Sequence, residues 1–217
     1  MSVKQINWSQ SLKEANKLLI QGPLEKSPYE NFDTCITVDG GLVHTSQKTH
    51  WIGDGDSLGG LTPPHSNSLY LPQKKDQSDL HWALHLLPEK ELKILLWGFM
   101  GERQDHQLAV FGECFNSLNA RPQLRRLYSD NHWVFLAKGE HTIQIQGPFS
   151  LFSFEKAQVQ IVGDCEYSMR TPAYLEPLSS RGLSNIGHGE INVKNESALV
   201  VYLNQKSFAK SLREWFS

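Results

Sequence analysis

The chain has 217 residues, of which 39% are hydrophobic, enough for one large domain or two small domains with proper cores. Its 21 basic and 23 acidic residues give a formal net charge of −2, so the basic surplus that phosphate-backbone binding requires is missing, and nucleic acid is not an expected partner. The N-terminal MSVKQINWSQ lacks the apolar core of a signal peptide, and the longest apolar run, ILLWGFM, is too short to span a bilayer; we therefore expect a cytoplasmic protein with no membrane partner.

Strand-like and helix-like segments alternate along the first half of the chain. The strand-like runs are KLLIQG, DTCITVDGG, THWIGDGDS, SLYLP and LKILLWGFMG. Apolar residues at helical spacing predict two helices. They are Leu80, Ala83, Leu84 and Leu87 in SDLHWALHLLPEKE, and Leu108, Phe111, Phe115 and Leu118 after the last strand. This alternation predicts an α/β domain with a mainly parallel sheet.

From about residue 124 the pattern changes to period-two alternation. The segments are LRRLYSD, HWVFLAKG, HTIQIQG, SLFSFE, AQVQIVG and ALVVYLN. They predict an all-β, sandwich-like C-terminal domain built on antiparallel strands. We place the boundary where NARPQ interrupts the second helix, which gives domains of residues 1–122 and 123–217.

The three cysteines are Cys35, Cys114 and Cys165, which are far apart in the sequence. No C-x-x-C pair is present, so neither a zinc site nor thiol exchange is indicated. We expect reduced and mostly buried thiols.

Carboxylates gather at the C-terminal ends of the predicted strands, which is the edge where open α/β sheets bind ligands. They are Asp39 in VDGG, Asp54 and Asp56 in GDGDS, Asp76 and Asp79 in KDQSD, and Asp105 in GERQDH. Several carboxylates at one edge repel one another unless cations lie between them. Oxygen ligands beside glycines favour Mg²⁺, which completes its coordination shell with water and substrate phosphates.

Each carboxylate also has a purely structural interpretation. Asp76 and Asp79 have the spacing of a helix N-cap and its capping-box partner. Asp39 before two glycines suits an ordinary turn, and GDGDS, with Asp54 and Asp56, suits a surface turn. Asp105 suits the cap of the following helix, with His106 as a structural histidine. Separate turns and caps explain any one of these residues, but they explain the whole set poorly.

Other phosphate- and calcium-binding motifs are absent from the sequence. It contains no G-x-x-x-x-G-K-[ST] segment, and GDGDSL lacks the third glycine of the dinucleotide fingerprint. An EF-hand loop starting at Asp54 would have His65 at its twelfth position, where an acidic residue is required.

The order of the motifs resembles the thiamine pyrophosphokinase family across about residues 17–203. The matching segments are VDGG, WIGDGDS, KDQSDL, GERQDH, SLFSF, GDCEY and LSN. The resemblance implies an α/β N-terminal domain that binds ATP and magnesium and a β-sandwich C-terminal domain that supplies part of the thiamine site. It also implies a homodimer in which thiamine lies between the N-domain of one subunit and the C-domain of the other.

The resemblance implies roles for individual residues. Asp54, Asp56 and Asp79 correspond to the magnesium-linked catalytic carboxylates. The nucleotide site would include Asp39, Asp76, Arg103, Asp105 and His106, with Arg103 also a catalytic group on the triphosphate. The thiamine side would include Tyr167, Ser184 and Asn185, although Tyr167 equally suits a sheet-packing role.

The sequence differs from the family pattern at three positions. Gly55 replaces an aromatic residue between the two aspartates, Ser78 replaces a threonine, and Glu102 replaces a glycine in the arginine-containing loop. The predicted activity is thiamine pyrophosphokinase, transferring diphosphate from ATP to thiamine. Two alternatives remain: a pyrophosphokinase for another heterocyclic alcohol such as a hydroxymethylpterin, and a non-catalytic protein that binds nucleotide or thiamine diphosphate.

Overall fold

The structure is a computed structural model and describes residues 10–45, 49–64, 67–101 and 103–217. The chain divides into two compact units, Met1–Glu113 and Cys114–Ser217. Among the described residues, no helix is long and apolar enough to cross a membrane.

The first unit is built on parallel strands. Its elements are α1 (Gln10–Glu14), β1 (Lys17–Gln21), β2 (Thr34–Val38), a 3₁₀ helix (Asp39–His44), β3 (His50–Gly53), β4 (Ser68–Tyr70), α2 (Asp79–His85), β5 (Lys93–Trp97) and the start of α3 (Gln104–Ala120). The strands lie in the order β5-β1-β2-β3-β4, and each neighbouring pair is parallel. The five apolar runs predicted to be strands are confirmed.

The strands of this sheet are buried along almost their whole length. All five residues of β2 are buried, as are the last four residues of β1 and of β5. Continuous rather than alternating burial is typical of parallel strands covered on both faces. Because the strands are parallel, their C-terminal ends share one edge, and the predicted acidic motifs follow these ends.

Two details of the helices differ from the sequence prediction. Ser78 is the N-cap of α2, and its side chain accepts a hydrogen bond from the His81 N–H (3.0 Å), so Asp76 is not the cap. Leu108 was predicted on the apolar face of α3 but is 65% exposed, whereas Phe111, Phe115 and Leu118 are buried as predicted. Leu108 lies in the second turn of the helix, before the stretch that packs into the core.

The second unit is built on antiparallel strands. Its elements after α3 are β6 (Arg126–Ser129), β7 (Trp133–Leu136), β8 (Gly139–Phe152), β9 (Ala157–Cys165), β10 (Met169–Leu175), β11 (Asn185–Asn195), β12 (Leu199–Leu203) and α4 (Gln205–Phe216), with 3₁₀ turns at Pro122–Leu124 and Ser180–Gly182. The strand order is β10-β9-β11-β8-β12-β7-β6. The segments HTIQIQG and SLFSF, which the sequence suggested as two strands, form the single strand β8.

The sequence predicted an all-β second unit, but this unit also contains the helix α4, which was not predicted. Asn204 caps this helix by accepting a hydrogen bond from the Ser207 N–H, and the helix buries its own Phe208 and Leu212 side chains. The Ser207 hydroxyl is tied to β8, since it accepts from the Gln146 N–H (2.8 Å) and donates to the Gln146 carbonyl (2.9 Å). Parallel and antiparallel pairing together make a mixed β structure with few helices, and the sandwich-like layering stays a prediction.

The cysteines are free thiols, as the sequence predicted. Cys35 and Cys114 are buried and Cys165 is half-buried. Burial raises the pKa of the Cys35 thiol to about 12, so this side chain is a neutral packing group at physiological pH.

His141 in β8 is a buried imidazole, 3% exposed, whose Nε2 lies 2.8 Å from the Ala137 carbonyl oxygen. Burial, with the nearby Arg126 and Arg125 charges, lowers the pKa of His141 from 6.5 to about 4. The folded state therefore binds fewer protons than the unfolded state between these two values. The contribution of neutral His141 to the free energy of unfolding is fully present above pH 6.5 and is lost as the pH falls towards 4.

We expect acidification from pH 7 to pH 4 to reduce the free energy of unfolding of the wild type more than that of His141→Gln, by up to about 3 kcal/mol. Glutamine stays neutral and keeps a donor for the Ala137 carbonyl. Urea denaturation across this pH range measures the difference between the two proteins. Parallel pH curves would show that His141 charges as readily in the folded protein as in the unfolded chain.

Candidate functional site

Asp39 follows β2 directly and begins the 3₁₀ helix with a positive φ of 48°. Its carbonyl oxygen accepts a hydrogen bond from the Trp51 indole N–H (2.9 Å). The register pairs Val38 with Ile52, so Asp39 lies level with Gly53 at the end of β3. A Cβ atom on Gly53 would lie 3.0 Å from the Asp39 Cα and 2.8 Å from the Trp51 ring, so glycine is needed for this close approach.

Asp54 and Asp56 lie in the turn that leaves β3. The Asp56 N–H donates to Asp54 Oδ1 (3.2 Å), and the Ser57 hydroxyl donates to Asp56 Oδ1 (2.8 Å). One carboxylate oxygen from each of Asp39, Asp54 and Asp56 lies within 4.8 Å of the other two. We call these three residues the acidic cluster.

Lys75 lies between Asp54 and Asp79. Its Nζ is 2.9 Å from Asp54 Oδ2 and 3.1 Å from Asp79 Oδ1, and the three side chains are only 11–17% exposed. Asp79 is the first residue of α2, four residues after Lys75, so the start of this helix brings the lysine and aspartate together. The Lys75 ammonium thus joins the acidic cluster to Asp79.

The electrostatic environment differs from one carboxylate to the next. The hydrogen bond from Lys75 lowers the pKa of Asp54. Burial raises the pKa of Asp39, and the negative charges of Asp56 and Asp54 raise it further. Burial also raises the pKa of Asp79, with Lys75 acting in the opposite direction. Asp39 therefore experiences the negative field of the cluster, while Lys75 neutralises the other side of the site.

The acidic cluster fits a hard divalent cation such as Mg²⁺. Its three carboxylates are the oxygen ligands this ion prefers. Asp39 Oδ1 is buried and accepts no hydrogen bond from a described residue, so an acceptor is left for a ligand. Of the predicted metal residues, Asp54 and Asp56 belong to the cluster, Asp39 joins them, and Asp79 is held by Lys75.

The remaining residues predicted at the nucleotide site are exposed. Arg103 and Asp105 form a two-point ion pair, with Arg103 Nε 3.1 Å from Asp105 Oδ1 and Nη2 2.5 Å from Oδ2. This pairing lowers the pKa of Asp105 to about 2. Asp76 and His106 are exposed, and Glu102 lies outside the described residues. The roles assigned to these side chains stay predictions.

The residues predicted for the thiamine side lie in the second unit, where two of them are directly joined. The side chain of Asn185 is 4% exposed; its Oδ1 accepts from the Tyr167 N–H (3.0 Å), and its Nδ2 donates to the Tyr167 carbonyl (2.7 Å). The Tyr167 side chain is 64% exposed, so it is not a core tyrosine. Ser184 is exposed and has a positive φ of 58°. Asn185 therefore holds the backbone that presents the Tyr167 ring.

Two residues, Lys75 at the acidic cluster and Tyr70 beside Gly55, were not predicted from the sequence. Lys75 directly precedes Asp76 in KDQSD, but it lies before α2, so the helical i,i+4 rule does not predict its ion pair with Asp79. Tyr70 ends β4 and is 61% exposed, with its ring 4.9 Å from the buried Trp51 ring. No local pattern distinguishes Tyr70 from an ordinary strand residue.

Gly55 separates the two aspartates and has φ +87°, a conformation that side chains other than glycine rarely adopt. We expect Gly55→Ala to reduce the free energy of unfolding by about 1–2 kcal/mol because of this backbone conformation. The matched control is Gly112→Ala, where a Cβ meets no atom within 4 Å and alanine favours the helix α3. Denaturant midpoints measure both changes. Equal midpoints for Gly55→Ala and wild type would show that the turn tolerates a side chain.

Comparison with solved structures identifies the class of fold. The thiamine pyrophosphokinase of Bacillus subtilis aligns with a TM-score of 0.64 at 19% identity, covering 87% of this chain and 98% of that chain. The enzyme of Geobacillus thermodenitrificans gives 0.64 at 17% identity (88% and 99% covered), and that of Candida albicans gives 0.63 at 13% identity (89% and 90% covered).

The predicted resemblance to the thiamine pyrophosphokinase family is therefore confirmed as a likeness of fold, in bacterial and yeast representatives alike. No protein-family model matches the chain, and no curated protein matches it in sequence. The chain thus combines the fold of solved thiamine pyrophosphokinases with the acidic cluster.

Proposed function

We propose that this protein is an ATP-dependent diphosphotransferase that converts thiamine and ATP into thiamine diphosphate and AMP. The observation that carries the proposal is the acidic cluster, which lies at the C-terminal ends of two neighbouring parallel strands. It lies in a fold shared with solved thiamine pyrophosphokinases. Three carboxylates arranged in this way suit a Mg²⁺–polyphosphate complex better than any neutral ligand.

In the proposed reaction the hydroxyl oxygen of thiamine attacks the β-phosphorus of ATP. The bond from this phosphorus to the oxygen bridging the α- and β-phosphates breaks, AMP leaves with the electron pair, and the hydroxyl proton passes to solvent. Bound Mg²⁺ would neutralise charge on the phosphates. The protein's contribution is alignment and electrostatic stabilisation, which dominate in phosphoryl transfer.

The chain's own residues have distinct proposed tasks. Asp54, Asp56 and Asp79 hold magnesium, and Asp39 completes the acidic cluster on the nucleotide side. Arg103 exchanges its partner Asp105 for the phosphates, since its planar fork binds either group through two hydrogen bonds. Asp76, Asp105 and His106 contribute to the nucleotide site.

On the acceptor side, Tyr167, Ser184 and Asn185 contribute to thiamine binding. The exposed Tyr167 ring offers a face to the cationic thiazolium or to the pyrimidine. We propose a homodimer with active sites shared between subunits, located in the cytoplasm. Light scattering during chromatography tests the assembly, and a monomer that retains full activity would contradict shared sites.

The experiment that tests the proposed function is a screen of acceptor alcohols with ATP and Mg²⁺, quantifying AMP release. Thiamine is expected to give AMP and thiamine diphosphate. AMP release only with a hydroxymethylpterin would assign a different acceptor to the same site. Binding of ATP or thiamine diphosphate without AMP release from any acceptor would indicate a non-catalytic binding protein.

A further inference from the structure

Lys75 occupies a position that the proposed function does not explain. Its ammonium group lies within 3.1 Å of oxygens on both Asp54 and Asp79 and is largely shielded from solvent. It neutralises carboxylates that would otherwise repel one another at close range. An amine used only for this purpose would stabilise the protein whether or not a metal ion binds.

The geometry sets the Lys75 ammonium in competition with a metal ion. Asp54 Oδ1 already accepts the Asp56 N–H, and Asp54 Oδ2 accepts Lys75. A divalent cation bound to the acidic cluster needs an oxygen of Asp54, and the remaining ammonium would then face a +2 charge across one carboxylate. The two positive charges would repel each other, and solvent would screen them only in part because the Lys75 and Asp54 side chains are 14% and 11% exposed.

The chemistry of lysine suits it to a second position. Its ammonium is a compact point charge with three donors on a flexible four-carbon stem, and phosphate is a common partner for such a group. The sequence has no P-loop lysine to supply a cation to the phosphates. Within the part of the chain that the structure describes, Lys75 is the basic residue that forms an ion pair with the acidic cluster, through Asp54.

We propose that Lys75 is a phosphate-binding residue whose ammonium group the carboxylates hold when no metal ion is bound: Mg²⁺ displaces the ammonium from Asp54 and Asp79, and the released group binds the polyphosphate. This inference rests on the proposed function, because it takes Mg²⁺ and a polyphosphate as the ligands. It assigns to Lys75 a task that stabilisation of the metal-free protein alone would not require.

The first test measures Mg²⁺ binding by calorimetry, without nucleotide, for wild type, Lys75→Met and Lys75→Arg. Loss of the competing ammonium is expected to tighten Mg²⁺ binding in Lys75→Met by at least about tenfold, whereas Lys75→Arg keeps the charge and stays near wild type. With saturating Mg²⁺, inorganic triphosphate is expected to bind Lys75→Met at least about tenfold more weakly than wild type. Mg²⁺ binding that weakens or stays unchanged in Lys75→Met would overturn the proposal, as would unchanged triphosphate binding.

A second test uses the wild-type protein, so it decides the question even where Lys75→Met does not fold. Acetylation of Lys75 by an amine-reactive reagent, followed by mass spectrometry, is expected to be slow without metal, faster with Mg²⁺, and slow again when triphosphate is added. Lys13, an exposed lysine of α1, serves as the internal reference. Lys75 reactivity that does not change on Mg²⁺ addition would overturn the proposal.

These outcomes are separable from those of the acceptor screen. If Mg²⁺ displaces Lys75 but the protein makes no thiamine diphosphate, the role proposed for Lys75 is supported and the proposed function is contradicted. If the protein makes thiamine diphosphate while Lys75 reactivity stays constant, the proposed function is supported and the role proposed for Lys75 is contradicted.

Discussion

Asp56→Asn is expected to remain folded and to lose at least about 100-fold in turnover, the scale of one lost electrostatic stabiliser in an active site. The Asp56 carboxylate belongs to the acidic cluster and is more exposed than Asp39 and Asp54. Asparagine keeps the shape of the side chain and an oxygen that can accept from the Ser57 hydroxyl. The substitution therefore removes one negative charge with little change in packing.

The measurement pairs the melting temperature without metal with the rate at saturating Mg²⁺. The metal-free melting temperature is expected to stay the same or to rise, because a like charge has been removed from the cluster. Glu89→Gln is the matched control, since it neutralises an exposed carboxylate of the same unit outside the site. If the activity of Asp56→Asn is within a few-fold of that of Glu89→Gln, GDGDS is an ordinary turn without a catalytic role.

Asn185→Ala is expected to reduce the free energy of unfolding by about 1–3 kcal/mol, because it leaves polar backbone groups around Tyr167 without their partner. The Asn185 amide satisfies the Tyr167 N–H and carbonyl, and its oxygen also accepts from the Ile186 N–H (2.8 Å). Alanine restores none of these hydrogen bonds. Chemical denaturation measures the loss.

A separate substitution distinguishes the structural role of Asn185, which supports the Tyr167 backbone, from the role of the Tyr167 ring in binding thiamine. Tyr167→Leu keeps the Asn185 hydrogen bonds, which involve only backbone atoms of residue 167, and removes the aromatic face. It is expected to leave stability nearly unchanged and to raise the KM for thiamine. A KM equal to that of wild type would exclude Tyr167 from the thiamine site.

The acidic cluster was largely predictable from the sequence because the course of the backbone determines where its short side chains lie. Asp39 and Asp54 each follow an apolar strand, and parallel strands bring their C-terminal ends to one edge. Short side chains on short turns leave little freedom, so sequence position determines spatial position. The same logic located the five strands of the first unit.

The ion pairs of Lys75 were less predictable, because its long side chain can reach many partners. Its Nζ position depends on where α2 begins relative to the end of β3, which is a tertiary property. Asp105 shows the converse case: its motif was recognised, yet its actual partner in the structure is Arg103, two residues away.

Two further differences have clear physical origins. The helix α4 has apolar residues at helical spacing, including Phe208 and Leu212, and Asn204 at its cap, so its signal was present but short and rich in charged residues. The exposed Leu108 shows that periodicity identifies a helical face without showing how far the packing partner extends. The first difference therefore lies in how clearly the local pattern can be recognised, and the second in the extent of tertiary packing.

The most direct measurement of the central claim follows ATP labelled separately at the β- and γ-phosphates, incubated with thiamine, Mg²⁺ and the wild-type protein. The proposed reaction predicts that both labels appear in thiamine diphosphate with an equal amount of AMP, and that Asp56→Asn prepared in the same way gives only a trace of this product. Release of ADP with the γ-label alone transferred, or equal product from both proteins, would contradict it.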